Sequence, residues 1–236
     1  MSDYSQSIVL IPTLNERENL KDLIPSIFGL MPEISVLVVD DNSSDGTREL
    51  VGFMKTGFKN LFLLERKNNF GYGRSSIDGF KWIFERPYDN VVTMDADFSH
   101  NFNEVPALLE KLKNSDVAMG SRYIRGGGVK NWSFFRRVLS RLANLYVKII
   151  LGLPAADATS GFNAYRVTSL KKINLDKIDS NGYAFLVELK YRLFRAGSKF
   201  IEHPILFSER REGQSKMSGK IIWESIKLPW KLKLFN

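Results

Sequence analysis

The sequence contains no cysteine and only two histidines in 236 residues. Without cysteine, neither a disulfide nor a cysteine-ligated zinc site can form, which suits a reducing compartment. His100 and His203 lack the spacing of metal ligands, so we expect structural or surface roles for both. Long apolar runs are absent too: no stretch approaches the roughly 18 uncharged apolar residues of a membrane span, and the N-terminus lacks a secretion signal. We therefore expect a cytoplasmic protein that does not cross a bilayer by itself.

Basic residues outnumber acidic ones, which gives a net charge of +8 and an isoelectric point near 9.5. Such a charge points to a polyanionic partner, which could be nucleic acid, an acidic membrane surface or a phosphorylated substrate. The hydrophobic content of 44% is enough for one sizeable core. We expect a single domain over residues 1–236, in which residues 216–236 form a basic amphipathic C-terminal segment.

The first half of the sequence alternates short apolar runs, rich in β-branched residues, with segments of helical periodicity. This rhythm predicts an α/β fold in which a mostly parallel, Rossmann-like sheet is flanked by helices. The predicted strands are Ser7–Pro12, Ser35–Asp40, Asn60–Glu65, Asn90–Asp95 and Asp116–Ser121, and the predicted helices are Glu16–Phe28, Thr47–Lys55, Arg74–Phe84 and Asn103–Lys113.

After Tyr123 the regular alternation of predicted strands and helices ends. The glycine-rich stretch IRGGGVKN, residues 124–131, indicates a mobile loop. Helices are predicted at Trp132–Leu151 and Tyr183–Ala196, and a strand is predicted at Lys199–Phe207. The chain closes with a basic, aromatic segment that Pro229 is expected to break.

Polar residues follow three of the predicted strands, in PTLNE, DDNSSDGT and DADFSH. Sheets of this kind bind ligands at the carboxyl ends of their strands. In an extended strand, Asp95 and Asp97 would point the same way, about 7 Å apart, and could hold one Mg²⁺ or Mn²⁺ that neutralises a diphosphate. A turn with two solvated aspartates is the alternative. Likewise, DDNSSDGT fits either a turn with a helix cap or a loop in which Asp41 binds a nucleotide.

Basic residues near the same sheet edge suit phosphate binding. Arg122 follows a predicted strand, and a loop with Arg210, Arg211 and Lys216 could close over it, because arginine forks match phosphate oxygens. A solvated surface role is the alternative for each of them.

Taken together, IPTLNERENL, VVDDNSSDGT, MDADFSH, GSRYIRGGG, TSGFNAYR, GYAFLVELKYR and FSERREGQSK, in this order, resemble the inverting family 2 glycosyltransferases. The later motifs resemble the dolichyl- or polyprenyl-phosphate mannosyltransferase branch. The resemblance implies a GT-A fold and transfer of a sugar from a nucleotide-sugar donor to a polyprenyl phosphate acceptor, with inversion at the anomeric carbon. GDP-mannose is the favoured donor, and a UDP-sugar such as UDP-glucose or UDP-GlcNAc is the alternative.

The resemblance also implies roles for individual residues, with Mg²⁺ or Mn²⁺ as the cofactor and Arg210 and Lys216 on a closing loop. The implied nucleotide-binding residues are Pro12, Glu16, Asp41, Asp95 and Ala96; the implied metal ligands are Asp95 and Asp97; the implied acceptor-phosphate residues are Arg122, Arg136, Ser140 and Lys216; and the implied catalytic residues are Asp97, Arg122, Arg136 and Arg210.

The sequence departs from the family pattern in a few places. Leu14 stands where a tyrosine is common, Ser99 where some relatives supply a third metal ligand, and Leu186 where a glutamine is common. The run NNFGYGRSS, residues 68–76, differs from the usual GLGxA. These departures leave the reaction class intact and bear on the identity of the donor.

The C-terminal segment fits a lipid acceptor, because Trp223, Trp230 and Phe235 could enter the lipid interface while its lysines meet acidic headgroups. An ordinary packed helix is the alternative. We expect peripheral contact with an acidic membrane, which leaves room for a separate membrane subunit. We expect no nucleic-acid partner, since the sequence has no nucleic-acid binding motif and acidic clusters follow its strands.

Two other classes of protein compete with this interpretation. A nucleotidyltransferase that makes sugar nucleotides would also use a doubly wound sheet and paired aspartates, but it normally has a glycine-rich, basic loop after the first strand. This sequence has PTLNERENL there. A non-catalytic binding domain remains open, although the retained Asp95 and Asp97 argue against it.

Overall fold

The computed structural model describes residues 4–208 and 219–235. The strands are β1 (Ser7–Thr13), β2 (Ser35–Asp40), β3 (Leu61–Glu65), β4 (Asn90–Thr93), β5 (Val117–Ser121), β6 (Gly128–Val129), β7 (Asn163–Arg166), β8 (Phe200–Pro204) and β9 (Leu206–Phe207). The helices are α1 (Arg17–Leu30), α2 (Thr47–Met54), α3 (Tyr72–Phe84), α4 (Val105–Lys111), α5 (Phe134–Leu151), α6 (Val167–Leu170), α7 (Gly182–Arg195) and α8 (Gly219–Phe235). Short 3₁₀ turns occupy Phe102–Glu104 and Leu175–Lys177.

Seven strands form one sheet in the order β3-β2-β1-β4-β7-β5-β8. Its pairings are parallel except those of β7, which runs antiparallel to both β4 and β5. The other six strands therefore run in one direction, and their carboxyl ends lie along the same edge of the sheet. Ligands bind at this edge in doubly wound sheets.

Helices cover both faces of the sheet. In β1, Ile8 and Leu10 belong to the apolar cluster formed with α3, α5 and α7, whereas Val9 and Ile11 belong to the cluster formed with α1, α2 and α4. All four side chains are fully buried, which explains why the strand reads as a continuous apolar run. The predicted mostly parallel sheet between two helical layers is confirmed.

The sequence pattern does not predict β6 and β7. The four residues of β7 complete the sheet between β4 and β5, and Ala164 and Tyr165 in it are fully buried. The expectation of a mobile loop over residues 124–131 is wrong in part, because Gly128 and Val129 pair with β9. Strands this short have no periodicity that a sequence reading can detect, and their conformation depends on partners far along the chain.

Helix α8 continues through Pro229, so the expected break there is wrong. A proline inside a helix removes one backbone hydrogen bond. Here the proline is buried, Leu228 and Leu232 beside it are buried as well, and α8 packs against α5 and α7. The Tyr146 hydroxyl of α5 also donates a hydrogen bond to the carbonyl oxygen of Ile226 at 2.7 Å. These tertiary contacts offset the lost helical hydrogen bond.

Candidate active site

The loops after β1, β2, β3 and β4 each contain a non-glycine residue with a left-handed backbone: Asn15, Asn42, Asn69 and Phe98, with φ values of 59°, 64°, 53° and 59°. Asparagine adopts this conformation readily, whereas a bulky residue such as Phe98 rarely does. The strained residue therefore lies in the DADFSH loop. Strain of this kind costs about 1 to 3 kcal/mol and clusters at functional sites.

The loops after β1 and β2 are joined by hydrogen bonds from backbone to side chain. The N–H of Asn15 donates to Ser43 Oγ at 2.8 Å, and the carboxylate of Asp45 accepts from the N–H groups of Arg17 and Thr47, each at 3.0 Å. Burial raises the pKa of Asp45, but hydrogen bonds from Thr47 and the backbone outweigh burial and hold this pKa below its usual value. Asp45 thus accepts the first N–H group of both α1 and α2, which agrees with the turn interpretation of DDNSSDGT, although the N-cap residue of α2 is Gly46.

Asp41 is buried just after β2, and two groups hold its carboxylate. Arg66 forms an ion pair with Oδ1, and the N–H of Gly71 donates to Oδ2 at 2.6 Å. Arg66 also donates to Asp78 at 2.7 Å, and an open cavity of about 370 Å³ beside this pair is lined in part by Trp82. The contact of Asp41 with a nucleotide stays a prediction. A nucleotide that binds there would share the Asp41 carboxylate with Arg66.

The other residues implied to bind the nucleotide lie along the same sheet edge. Pro12 is half-buried near the end of β1, and Ala96 is buried after β4. The carboxylate of Glu16 accepts from Asn19 Nδ2 at 2.7 Å. Leu14, where the family commonly has tyrosine, is exposed.

Asp95 and Asp97 lie in a turn, because β4 ends at Thr93. The expectation that both extend one strand is therefore wrong. Asp97 is buried and its Oδ1 accepts the N–H of Ser99 at 3.1 Å, whereas 30% of the Asp95 side chain is exposed. The backbone N–H of Asp95 donates to Nδ1 of His100 at 3.0 Å. His100 is itself buried, so a surface role is excluded for it.

The same turn contains a buried polar atom with unmet hydrogen-bonding capacity. Ser99 Oγ is inaccessible to solvent and has no hydrogen-bond partner in the described part of the chain. Such atoms are rare in native proteins and often mark the place of an ion or water. No group of three or more histidine, cysteine, aspartate or glutamate side chains suits a metal within residues 4–208 and 219–235. A cation at this turn would therefore rely on two carboxylates, with water and substrate completing its shell.

Arg122 and Arg136 converge on Trp132. The guanidinium carbon of Arg136 lies 4.1 Å from the centre of the Trp132 ring, and that of Arg122 lies 5.5 Å away. Ser140 is close by, because its Oγ accepts a hydrogen bond from the Tyr123 hydroxyl at 2.6 Å. The fold thus brings three of the implied acceptor residues into one cluster. Arg210, Arg211 and Lys216 lie outside the described residues.

Sequence reasoning missed three charged residues of this region: Arg66, Asp157 and Lys190. Asp157 forms a bidentate ion pair with Arg122, and Lys190 is fully buried in α7. Lys190 did leave a signal, because it lies one helical turn after Leu186 and one before Leu193, on the apolar face, where a lysine is unusual.

Comparison with known proteins identifies the family. The profile described as glycosyl transferase family 2 matches residues 8–174. The chain is 42% identical over 219 residues to an undecaprenyl-phosphate mannosyltransferase of Micrococcus luteus, a match that covers 93% of this chain and 90% of that protein. It is 41% identical to a polyprenol monophosphomannose synthase of Mycolicibacterium smegmatis, covering 94% and 84%. Identity to a dolichol-phosphate mannosyltransferase of Pyrococcus furiosus is 36%, covering 95% of this chain and 62% of that protein.

Among solved structures, glucosyl-3-phosphoglycerate synthase from Mycobacterium tuberculosis, in complex with Mn²⁺, UDP and phosphoglyceric acid, superposes with a TM-score of 0.69. The match covers 97% of this chain and 78% of that one at 16% identity, so it establishes the fold, which is GT-A. Since the family profile spans most of the chain and the curated relatives match it nearly from end to end, this protein belongs to glycosyl transferase family 2.

Proposed function

We propose that the protein transfers mannose from GDP-mannose to a polyprenyl phosphate and inverts the configuration at the anomeric carbon. The main support is that two relatives more than 40% identical, and matched over most of their length, are an undecaprenyl-phosphate mannosyltransferase and a polyprenol monophosphomannose synthase. The arrangement of the site agrees, because the paired aspartates follow β4 and Arg122 follows β5, two strands whose carboxyl ends lie along one edge of the sheet, and Arg136 of α5 meets Arg122 at Trp132.

The donor would lie across the loops after β1, β2 and β4. In this proposal Pro12, Glu16, Asp41 and Ala96 border the nucleoside. Asp95 and Asp97 would hold Mg²⁺ or Mn²⁺, and the buried, unpartnered Ser99 hydroxyl suits a site with a bound cation or its water. The ion would balance the charge of the departing nucleotide diphosphate.

The acceptor phosphate would lie at Trp132, between Arg122 and Arg136. Within the described residues the indole Nε1 of Trp132 is buried and lacks a hydrogen-bond acceptor, so an anion there would meet a donor as well as two guanidinium groups. A phosphate monoester is mostly ionised at neutral pH. The protein therefore needs to align this nucleophile and stabilise charge, and it does not need a strong base.

A lipid acceptor requires access to a membrane surface. Within the described residues no helix combines the length and apolarity that would let it span a bilayer. Two helices that pack against each other nevertheless expose large apolar side chains, which we together call the α5–α8 face: Phe134, Phe135, Val138, Leu139, Leu142, Leu145 and Ile149 of α5, with Ile226, Trp230 and Leu234 of α8. Exposure reaches 77% at Phe135. An apolar surface this large is typical of an interaction site.

The partner that best fits the α5–α8 face is the surface of an acidic bilayer. Helix α5 has no acidic residue and carries four basic ones, Arg136, Arg137, Arg141 and Lys148, all exposed. Amphipathic helices with this composition lie in the membrane interface, with the apolar side in the lipid and the basic side chains at anionic headgroups. The protein would then be cytoplasmic and peripherally bound, with Arg136 at the membrane end of the acceptor site. The side chains of Trp223 and Phe235 lie outside the described residues.

One assay tests the proposed reaction. The protein is incubated with polyprenyl phosphate and labelled GDP-mannose, UDP-glucose or UDP-GlcNAc, with MgCl₂, MnCl₂ or excess EDTA, and label in the organic phase is counted. We expect transfer from GDP-mannose only with a divalent cation. Asp95→Asn and Asp97→Asn should each lower kcat by about 100-fold or more, as the loss of comparable electrostatic groups does.

Asp22→Asn, on the exposed surface of α1, is the matched control for these variants. Full turnover in excess EDTA contradicts the role of the metal. Transfer from a UDP-sugar but not from GDP-mannose reassigns the donor. The absence of lipid-linked product with every donor contradicts the proposed function.

A further inference from the structure

Four charged side chains, three of them buried, cluster beside the proposed acceptor site: Arg122, Asp157, Lys190 and Glu202. Asp157 and Lys190 are fully buried and Arg122 nearly so, while Glu202 is partly exposed. Charged groups are rarely buried unless they are paired and hydrogen-bonded, because removal from water is costly. Of these four residues, the resemblance to family 2 implies a role for Arg122 alone.

Asp157 forms a bidentate ion pair with one edge of the Arg122 guanidinium. Its Oδ2 accepts from Arg122 Nε and its Oδ1 from Nη2, both at 2.7 Å, and Oδ2 also accepts the backbone N–H of Arg122 at 3.0 Å. Thr159 Oγ1 accepts from Nη2 at 2.9 Å. Burial raises the pKa of Asp157, but the hydrogen bonds and charge of Arg122 outweigh burial and keep it below the usual value. The plane of the guanidinium is therefore fixed by the segment that contains Asp157 and Thr159.

That segment is in turn held from three other elements. Glu202 of β8 accepts the backbone N–H groups of Ala156 at 3.0 Å and Asp157 at 3.2 Å. Lys190 of α7 donates to the carbonyl oxygens of Ala158 at 2.9 Å and Ser160 at 2.7 Å.

From the third element, α5, Asn144 Oδ1 accepts the N–H of Thr159 at 3.2 Å. Asn144 Nδ2 donates to the carbonyl oxygen of Ser140 at 2.9 Å. Residues 156–160 therefore form a platform with little freedom to move, and the platform is connected to the helix that carries Arg136.

We propose that Asp157, held in place by Lys190 and Glu202, is a positioning residue that orients Arg122 toward the acceptor phosphate. Asp157 has a second effect. By pairing with Arg122 it partly neutralises the guanidinium, so the phosphate dianion is aligned without losing its ability to attack. A bidentate phosphate contact on the Nε–Nη2 edge would have to displace Asp157, so this edge serves for orientation. The proposal rests on the proposed function, because it takes the ligand of Arg122 to be a phosphate monoester.

The variant Asp157→Asn tests the proposal, since it keeps the shape of the side chain and removes its charge. We expect kcat/KM for polyprenyl phosphate to fall by about 10- to 100-fold, the range for one lost charge-assisted contact to a reacting group. The dissociation constant for GDP-mannose with Mg²⁺, measured by calorimetry, should change less than about twofold. A role in stability alone would lower the fraction of folded protein and would not separate the two substrates.

Glu188→Gln is the matched control. Glu188 is also a buried carboxylate on the α7 side of the sheet, and it pairs with Arg192 at 2.7 Å, away from the acceptor cluster. Its loss should lower the unfolding midpoint without changing kcat/KM per folded molecule. Glu202→Gln is a milder second variant if Asp157→Asn folds poorly, because an amide oxygen can still accept one of the two backbone N–H groups. We expect it to weaken acceptor use in the same direction.

A double-mutant cycle with Arg122→Lys decides whether Asp157 acts through Arg122. If it does, Asp157→Asn should have little further effect in the Arg122→Lys background. Additive losses, or equal behaviour of Asp157→Asn and Glu188→Gln, overturn the proposal while the proposed function stands.

If wild-type protein transfers no sugar, the proposed function fails separately. Binding of farnesyl phosphate by calorimetry then tests positioning: weaker binding in Asp157→Asn but not in Glu188→Gln supports it, and unchanged binding overturns it.

Discussion

Lys190 is costly to bury because it is charged, yet its hydrogen bonds hold the segment that contains Ala158 and Ser160. Burial lowers the pKa of its ammonium to about 7. The negative charges of Asp157 and Glu202 raise this pKa, and the positive charge of Arg122 lowers it further, but burial has the largest effect. In an unfolded chain a lysine titrates near pH 10.4. Between about pH 7 and pH 10 the folded protein therefore binds fewer protons than the unfolded chain, and the cost of burying Lys190 diminishes as pH rises.

We predict that the free energy of unfolding of the wild type rises relative to that of Lys190→Met between about pH 7 and pH 10. The sign follows because stability increases with pH wherever the unfolded state binds more protons, by at most about 1.4 kcal/mol per pH unit for one group. Below about pH 7 the cost is fully present and the difference should level off. Urea unfolding at several pH values measures it, and Lys21→Met on the exposed face of α1 is the control. A difference that stays flat or falls across this range contradicts the prediction.

At the scale of single residues, the sequence locates the candidate residues whose side-chain types are concentrated at strand ends. Asp95 and Asp97 are found in this way, although their shared turn depends on the left-handed Phe98 rather than on an extended strand. Asp157 could not be predicted, because an aspartate in AADATSGF resembles any loop aspartate. Its importance appears only when the fold places it against Arg122.

At the scale of one element, helix α5 also shows which features the sequence predicts and which it does not. Its periodicity predicts a helix at Trp132–Leu151, and the structure has one at Phe134–Leu151. The buried residues of this helix are few: Asn144, Val147, Ile150 and Leu151. Most apolar residues of α5 therefore lie outside the core, and these residues form most of the α5–α8 face. A sequence pattern shows that a helix is amphipathic, but it does not show which side the rest of the chain covers.

We predict that the double variant Phe134→Ser/Phe135→Ser binds vesicles of phosphatidylglycerol and phosphatidylcholine at least about tenfold more weakly than the wild type. Each phenylalanine is at least 75% exposed, and insertion of one such side chain contributes about 1.5 to 3 kcal/mol. Binding is measured by sedimentation with the vesicles, and it should weaken at high salt because the basic residues act through a screened field.

Phe53→Ser provides the matched control for this experiment. Phe53 is 75% exposed on α2, which packs on the opposite face of the sheet from α5. Its loss should leave vesicle binding unchanged. Equal sedimentation of the double variant and the wild type would show that the α5–α8 face does not meet the membrane.

At the scale of the whole molecule, the parallel sheet explains why the strand-end residues proposed to bind the donor and the acceptor lie along one edge. Asp41 follows β2, Asp95 and Asp97 follow β4, and Arg122 follows β5, so these elements deliver their side chains to one edge although they are far apart in sequence. This convergence was predictable because alternating strands and helices allow few topologies. The antiparallel β7 was not, although its insertion sets the distance between β4 and β5.

We expect neither histidine to act as a general base at the proposed acceptor site. His100 accepts the N–H of Asp95 through Nδ1, and His203 contacts Glu104 at 2.8 Å. The carboxylate of Asp157 is engaged by Arg122 on both oxygens. The acceptor itself can provide the nucleophile, because a phosphate monoester loses its second proton near pH 6 and is mostly a dianion at neutral pH.

We therefore predict that the transfer rate rises through about pH 6 and then levels off, with an inflection set by the second pKa of the lipid phosphate. The measurement compares kcat/KM against pH for polyprenyl phosphate and for its phosphonate analogue, whose pKa is higher. The inflection should move upward with the phosphonate, because the ionising group belongs to the substrate. An inflection that stays fixed for both acceptors, and that disappears when one carboxylate of the protein is replaced, would show instead that a protein base removes the proton.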